Sequence, residues 1–141
     1  MTTSRLPAAG PVSTAVVSLR LPADVTAPAI ARHAVRDVLT GLGVHGQSMD
    51  DVLLATSELV TNAFEHGEHP DRLELQCTGE RLMLRVFDSG SEVPRLKEPS
   101  PKVARSRGLQ LVHALAEDWG YERRPGGKIV WAVFLLRLHG P

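Results

Sequence analysis

The hydrophobic period switches repeatedly along the chain, and the order of the switches leaves few folds open. Residues 14–21 (TAVVSLRL) read as a strand that Pro22 ends. Asp24 or Thr26 can cap a helix starting near Ala27, with Ile30, Ala34, Val35, Val38 and Leu42 at helical spacing and Gly41 and Gly43 closing it. Ser48 caps a second helix, with Asp50 and Asp51 in its first turn, where the helix dipole favours them. Val52, Leu53, Leu59, Val60 and Ala63 form its apolar stripe, and Gly67 and Pro70 stop it. Leu73, Leu75 and Cys77 then alternate, as do Leu82, Leu84 and Val86, which is a hairpin pattern about Gly79-Glu80. Periodicity is lost from Asp88 to Arg107, a stretch holding Gly90, Pro94, Pro99 and Pro101. A loop of that length inside a compact domain points to a lid or binding loop. A third helix runs from Gly108 to near Asp118, with Leu109, Val112, Leu115 and Ala116 inward. Trp119–Arg124 and Lys128–Leu138 make a last hairpin about Pro125-Gly126-Gly127.

The order β α α β β loop α β β suits neither a doubly wound parallel sheet nor an all-β barrel. It predicts an α+β fold, a two-layer α/β sandwich with a mixed, mostly antiparallel sheet and about three helices on one face. At 141 residues the chain holds one domain, over residues 14–141, behind a flexible N-terminal lead-in over residues 1–13. The single Cys77 allows no intramolecular disulfide and no cysteine zinc cluster, and suits a reducing, cytoplasmic setting. It alternates with Leu73 and Leu75, so it reads as a buried structural thiol. The longest apolar run, residues 129–136, falls far short of the ~20 residues that cross a bilayer. No membrane role is expected.

Sixteen Lys and Arg balance 16 Asp and Glu. A zero balance argues against a general nucleic-acid or membrane-surface binder, which needs a positive field. The distribution is more informative. Residues 37–71 hold seven acidic residues and no Lys or Arg, whereas Arg95–Arg107 holds five basic residues (Arg95, Lys97, Lys102, Arg105 and Arg107) against Glu98 alone. Oxygen-bearing side chains can hold Mg²⁺, and cations in a loop can close over phosphates. A solvated acidic face and a merely soluble loop explain the same split equally well.

Glu58, Asn62 and His66 fall at successive i, i+4 positions and form one stripe on the second helix. Asn is a mediocre helix former, so a mid-helix Asn invites a reason, and ligation of Mg²⁺ is one. Glu58 is placed to orient a water or to take a proton from a hydroxyl. Asp88-Ser89-Gly90 follows the second strand of the first hairpin, where a carboxylate can accept from an exocyclic amine and a glycine lets backbone approach a flat ring. Arg107-Gly108-Leu109 opens the third helix, whose N-terminal amides can bind phosphate.

In this order the motifs resemble the GHKL (Bergerat-fold) ATPases, and within them the anti-sigma-factor kinase branch in its stand-alone actinomycete form. Residues 57–67 resemble that family's N-box, and Trp119-Gly120 with Gly127-Lys128-Ile129-Val130-Trp131 resembles the small members of the branch. The resemblance spans roughly residues 14–136. It implies a serine/threonine kinase using ATP and Mg²⁺, with Glu58 as catalytic base and Asn62 as the Mg²⁺ ligand. It implies Asp88 at the adenine amine, Gly90 beneath the base, and His66 near the nucleotide rim. Arg105, Arg107, Gly108 and Leu109 would form the phosphate end of the lid. The implied partners are an anti-anti-sigma (STAS) protein, the phosphate acceptor, and a sigma factor, which the protein sequesters; a homodimer is also compatible with it. Two positions depart from the family pattern: Glu92 stands where a second glycine is expected, and Ser106 replaces the first glycine of Gly-x-Gly-Leu. They motivate an alternative reading, a nucleotide-poor binding module that regulates by protein–protein contact alone.

Overall fold

The computed structural model describes residues 2–3, 15–66, 70–90 and 108–136. Six strands form one sheet: β1 (Thr2–Thr3), β2 (Ala15–Arg20), β3 (Pro70–Thr78), β4 (Arg81–Asp88), β5 (Asp118–Arg124) and β6 (Gly127–Leu135). Their order is β1-β5-β6-β4-β3-β2. Every pairing is antiparallel except β1 with β5, where Thr2 and Thr3 lie parallel to Gly120 and Tyr121. Residues 4–14, most of the stretch read as a lead-in, lie outside the described residues. Three helices, α1 (Ala27–Gly41), α2 (Gly46–His66) and α3 (Gly108–Leu115), complete the α+β sandwich. Helix α2 packs between α1 and α3; α1 reaches β3, α2 reaches β3 and β4, and α3 reaches β5.

Alternation decides what faces the helices. Leu73, Leu75 and Cys77 on β3, Leu82, Leu84 and Val86 on β4, and Val130, Ala132 and Phe134 on β6 all join the core under the helices. The first hairpin is in the expected register, Leu73 against Val86 and Cys77 against Leu82, and Gly79 takes the positive φ of its turn. Val52, Leu53, Leu59, Val60 and Ala63 bury the expected face of α2. Thr56 is buried on the same face and hands its hydroxyl proton to the Val52 carbonyl, 2.7 Å away, so the core tolerates it.

Several local expectations shift. Helix α2 begins at Gly46, so Ser48 lies inside it and does not cap it. On α1 the buried stripe is Ala27, Ala31, Val35 and Leu39, while Ile30 is exposed. The small residues of that stripe let α1 approach its neighbours closely, which a stripe through Ile30 would not. Helix α3 ends at Leu115, because the chain must turn to enter β5 at Asp118. Trp119, Trp131 and Phe134 are all buried: Trp119 and Phe134 join the helix-side core, and Trp131 lies on the opposite face with Ile129 and Val133, out of phase with Val130 and Ala132.

Candidate nucleotide site

Asp88 and Lys128 are the buried charged residues among the described residues. They stand directly opposite each other where β4 and β6 end, in phase with the core residues Val86 and Val130, and so on the helix side. Lys128 Nζ donates to Asp88 Oδ1 at 2.8 Å, and both side chains are almost wholly inaccessible (3% and 0%). The Gly90 amide donates to the same oxygen at 2.8 Å. The other oxygen, Oδ2, is buried with no hydrogen-bond partner. A buried acceptor left unpaired costs free energy until a donor arrives. Burial pushes the Asp88 carboxyl up, while the Lys128 ammonium and the Gly90 amide pull against it.

Gly127 fixes this corner from the β6 side. A Cβ there would lie 2.0 Å from the Asp88 carbonyl oxygen, so only glycine allows the two backbones to meet. Gly127→Ala is expected to destabilise the fold by about 1–3 kcal/mol through forced displacement of the β4 end, seen as a lower denaturant midpoint.

Helix α2 supplies the next groups. The Arg32 guanidinium on α1 donates to Ser57 Oγ at 2.7 Å, so the Ser57 edge of α2 faces α1. With about 3.6 residues per turn, Glu58 and Asn62 fall on the other flank of the buried stripe. Helix α3 packs on the same helix. Both residues are half-buried. Burial, and then the charge of Glu65, holds the Glu58 carboxyl above the ordinary range. A carboxyl tuned upward is a better proton acceptor near neutral pH. His66 is the last residue of α2. On the far side, Gly108 begins α3 and Leu109 is buried. Arg105 and Arg107, together with Glu92 and Ser106, lie outside the described residues.

The fold places Asp88 and Gly90 at the end of β4, on the face of the sheet that α2 covers, and Glu58 and Asn62 half-buried on α2. Lys128 was not anticipated. Its signal was available: it is a lysine in phase with Val130, Ala132 and Phe134 on an otherwise apolar strand. Among the described residues no group of three or more His, Cys, Asp or Glu side chains is placed to hold a metal ion. No helix among the described residues is long and apolar enough to cross a membrane.

An α/β sandwich with a buried acceptor at the end of β4 and a half-buried Glu and Asn on its middle helix is compatible with a nucleotide-binding domain of the kinase-like ATPase class. The comparison of sequences agrees: residues 21–134 match the histidine kinase-like ATPase domain family, and the chain belongs to it. Membership implies ATP as the ligand, and the unpaired Asp88 Oδ2 fits an adenine amine. No curated protein matches the sequence. Among solved structures, the RsbU and RsbW domains of Rv1364c from Mycobacterium tuberculosis superpose with a TM-score of 0.68 at 23% identity, over 87% of this chain and 33% of that one. The chain thus spans about a third of that protein's length. The SiaB–SiaC complex from Pseudomonas aeruginosa gives a TM-score of 0.54 at 11% identity, over 89% of this chain and 91% of that one. At such identities these structures share the fold.

Proposed function

We propose that the protein is an ATP-dependent serine/threonine kinase of the anti-sigma type, acting on a hydroxyl of an anti-anti-sigma (STAS) partner and sequestering a sigma factor. The observation that carries this reading is the buried Asp88 carboxylate, whose Oδ1 is fixed by Lys128 and Gly90 while its Oδ2 has no partner. A rigid acceptor with a free oxygen is what selective reading of an exocyclic amine requires. The names RsbW and SiaB–SiaC, carried by structures of the same fold, support a regulatory kinase with a protein partner.

ATP bound as its Mg²⁺ complex supplies the γ-phosphoryl group. Asn62 offers an amide oxygen to the Mg²⁺, one helical turn beyond Glu58. Glu58 accepts the proton of the attacking hydroxyl, and its raised pKa suits it to that task near neutral pH. Gly90 lets backbone lie against the base, His66 borders the nucleotide rim, and Arg105, Arg107, Gly108 and Leu109 hold the phosphate end, where α3 amides and cations balance charge. The partner's hydroxyl, the attacking nucleophile, comes from outside this chain.

The test is transfer of radiolabelled γ-phosphate to STAS proteins encoded beside this one, with titration calorimetry of ATP in the presence and absence of Mg²⁺. Mg²⁺-dependent binding together with label on a partner serine or threonine is expected. ATP binding without transfer to any such partner overturns the kinase assignment, and absence of ATP binding favours the contact-only module.

A further inference from the structure

We propose that the outward face of the sheet carries a second ligand site, distinct from the nucleotide site and shaped for a phosphate monoester. Alternation fixes its location. Leu19, Leu73, Val86 and Tyr121 pack toward the helices, which sets Arg20, Arg72, Phe87 and Arg124 on the opposite face. There they line an open cavity of about 470 Å³, bordered by Asp71 and the β5–β6 turn through Gly127.

Two guanidiniums lie against the Phe87 ring, Arg72 at 4.2 Å and Arg124 at 5.2 Å from its centroid. Stacking on the ring fixes their planes and leaves N–H edges available in plane. Arg72 Nε is buried without a hydrogen-bond acceptor; the nearest carboxylate, Glu74, stands 3.6 Å away and is shared with Arg85 at 3.6 Å. Arg20 and Arg124 have no ion-pair partner among the described residues. Among the lining side chains Arg20 and Arg124 face only the Asp71 carboxylate, while Arg72 keeps Glu74, which it shares with Arg85.

Charge and shape select the ligand class. A phosphate monoester carries about −1.5 to −2 charge near neutral pH and three acceptor oxygens, which suits several forked guanidinium donors held close together. A single carboxylate offers two acceptor oxygens and less charge. The cavity falls within the volume range of organic ligands, so it has room for the group that bears the phosphate. The site sits back to back with the nucleotide site. Phe87 and Asp88 are consecutive and point to opposite faces, and Gly127 borders the cavity while abutting the Asp88 carbonyl.

A phosphorylated side chain of a polypeptide and a free phosphorylated metabolite share this chemistry, and titration of the full chain separates them. The probes are O-phosphoserine, a phosphoserine pentapeptide, the same peptide unphosphorylated, and ATP, followed by amide chemical shifts in the wild type, Arg20→Gln and Arg124→Gln. Both phosphorylated probes are expected to shift the amides of Arg72, Phe87 and Arg124. Each substitution is expected to weaken them about tenfold or more, the loss of one charge-assisted contact, with ATP affinity unchanged. A tighter pentapeptide assigns a polypeptide source, and equal affinities assign a free metabolite. The proposal is overturned if neither phosphorylated probe binds, if the unphosphorylated peptide binds as well, if the shifts fall only at the start of α3, or if the Arg variants bind like the wild type.

Discussion

Asp88→Ala is expected to remove adenine-nucleotide binding and to cost the fold about 3–5 kcal/mol, because it strands the Lys128 ammonium in the interior without a counter-charge. The pair is almost fully excluded from water, so this cost is not relieved by screening. Two effects of one substitution are easily confused, and a second variant separates them. Replacing both partners with apolar residues of similar volume, Asp88→Val with Lys128→Met, removes both buried charges together. Such exchanges of buried ion pairs are often neutral or stabilising. The double variant is therefore expected to melt near the wild type while still failing to bind ATP. Thermal unfolding followed by calorimetric titration checks both halves. Wild-type ATP affinity in the double variant would remove Asp88 from the nucleotide site altogether.

The Lys128–Asp88 pair also shows where sequence reading stops. The strands themselves were legible: alternation at Leu73, Leu75 and Cys77 and at Leu82, Leu84 and Val86 marks a two-sided sheet, and the glycine of the turn supplies the φ its geometry needs. Asp88 was legible as a candidate acceptor from its place at a strand end shortly before a glycine. Its partner was not, because the pairing joins residues forty positions apart and depends on the β4–β6 register, which no local pattern encodes. Helix α1 failed for a related reason. Ile30 has the right spacing to be buried, but which face of a helix turns inward is decided by what packs on it, and there the small Ala27 and Ala31 win. The outward arginine cavity was invisible in the same way, since Arg20, Arg72 and Arg124 come from three strands and meet only through the fold.

Glu58→Gln is expected to lower phosphoryl transfer by about 10²–10⁴-fold, the range typical of a lost general base, while leaving ATP binding within a few-fold of the wild type. Glutamine keeps the shape and the hydrogen-bonding reach but cannot accept the proton. The same substitution is expected to raise stability at neutral pH. Burial and Glu65 hold the Glu58 carboxyl above the ordinary range, so the folded protein keeps its proton to higher pH than the unfolded chain does. As pH rises through that interval the unfolded chain ionises first and the folded state loses stability relative to it. Glutamine has no charge to bury, so the variant's advantage is full above the raised pKa and vanishes below the ordinary carboxylate range. Melting temperatures of both proteins across that pH span measure the difference. Transfer by the wild type is expected to rise with pH over the same interval, since the base works only when ionised. A variant that keeps wild-type transfer, or a wild-type rate that is flat across the interval, would show that Glu58 is not the group that accepts the proton.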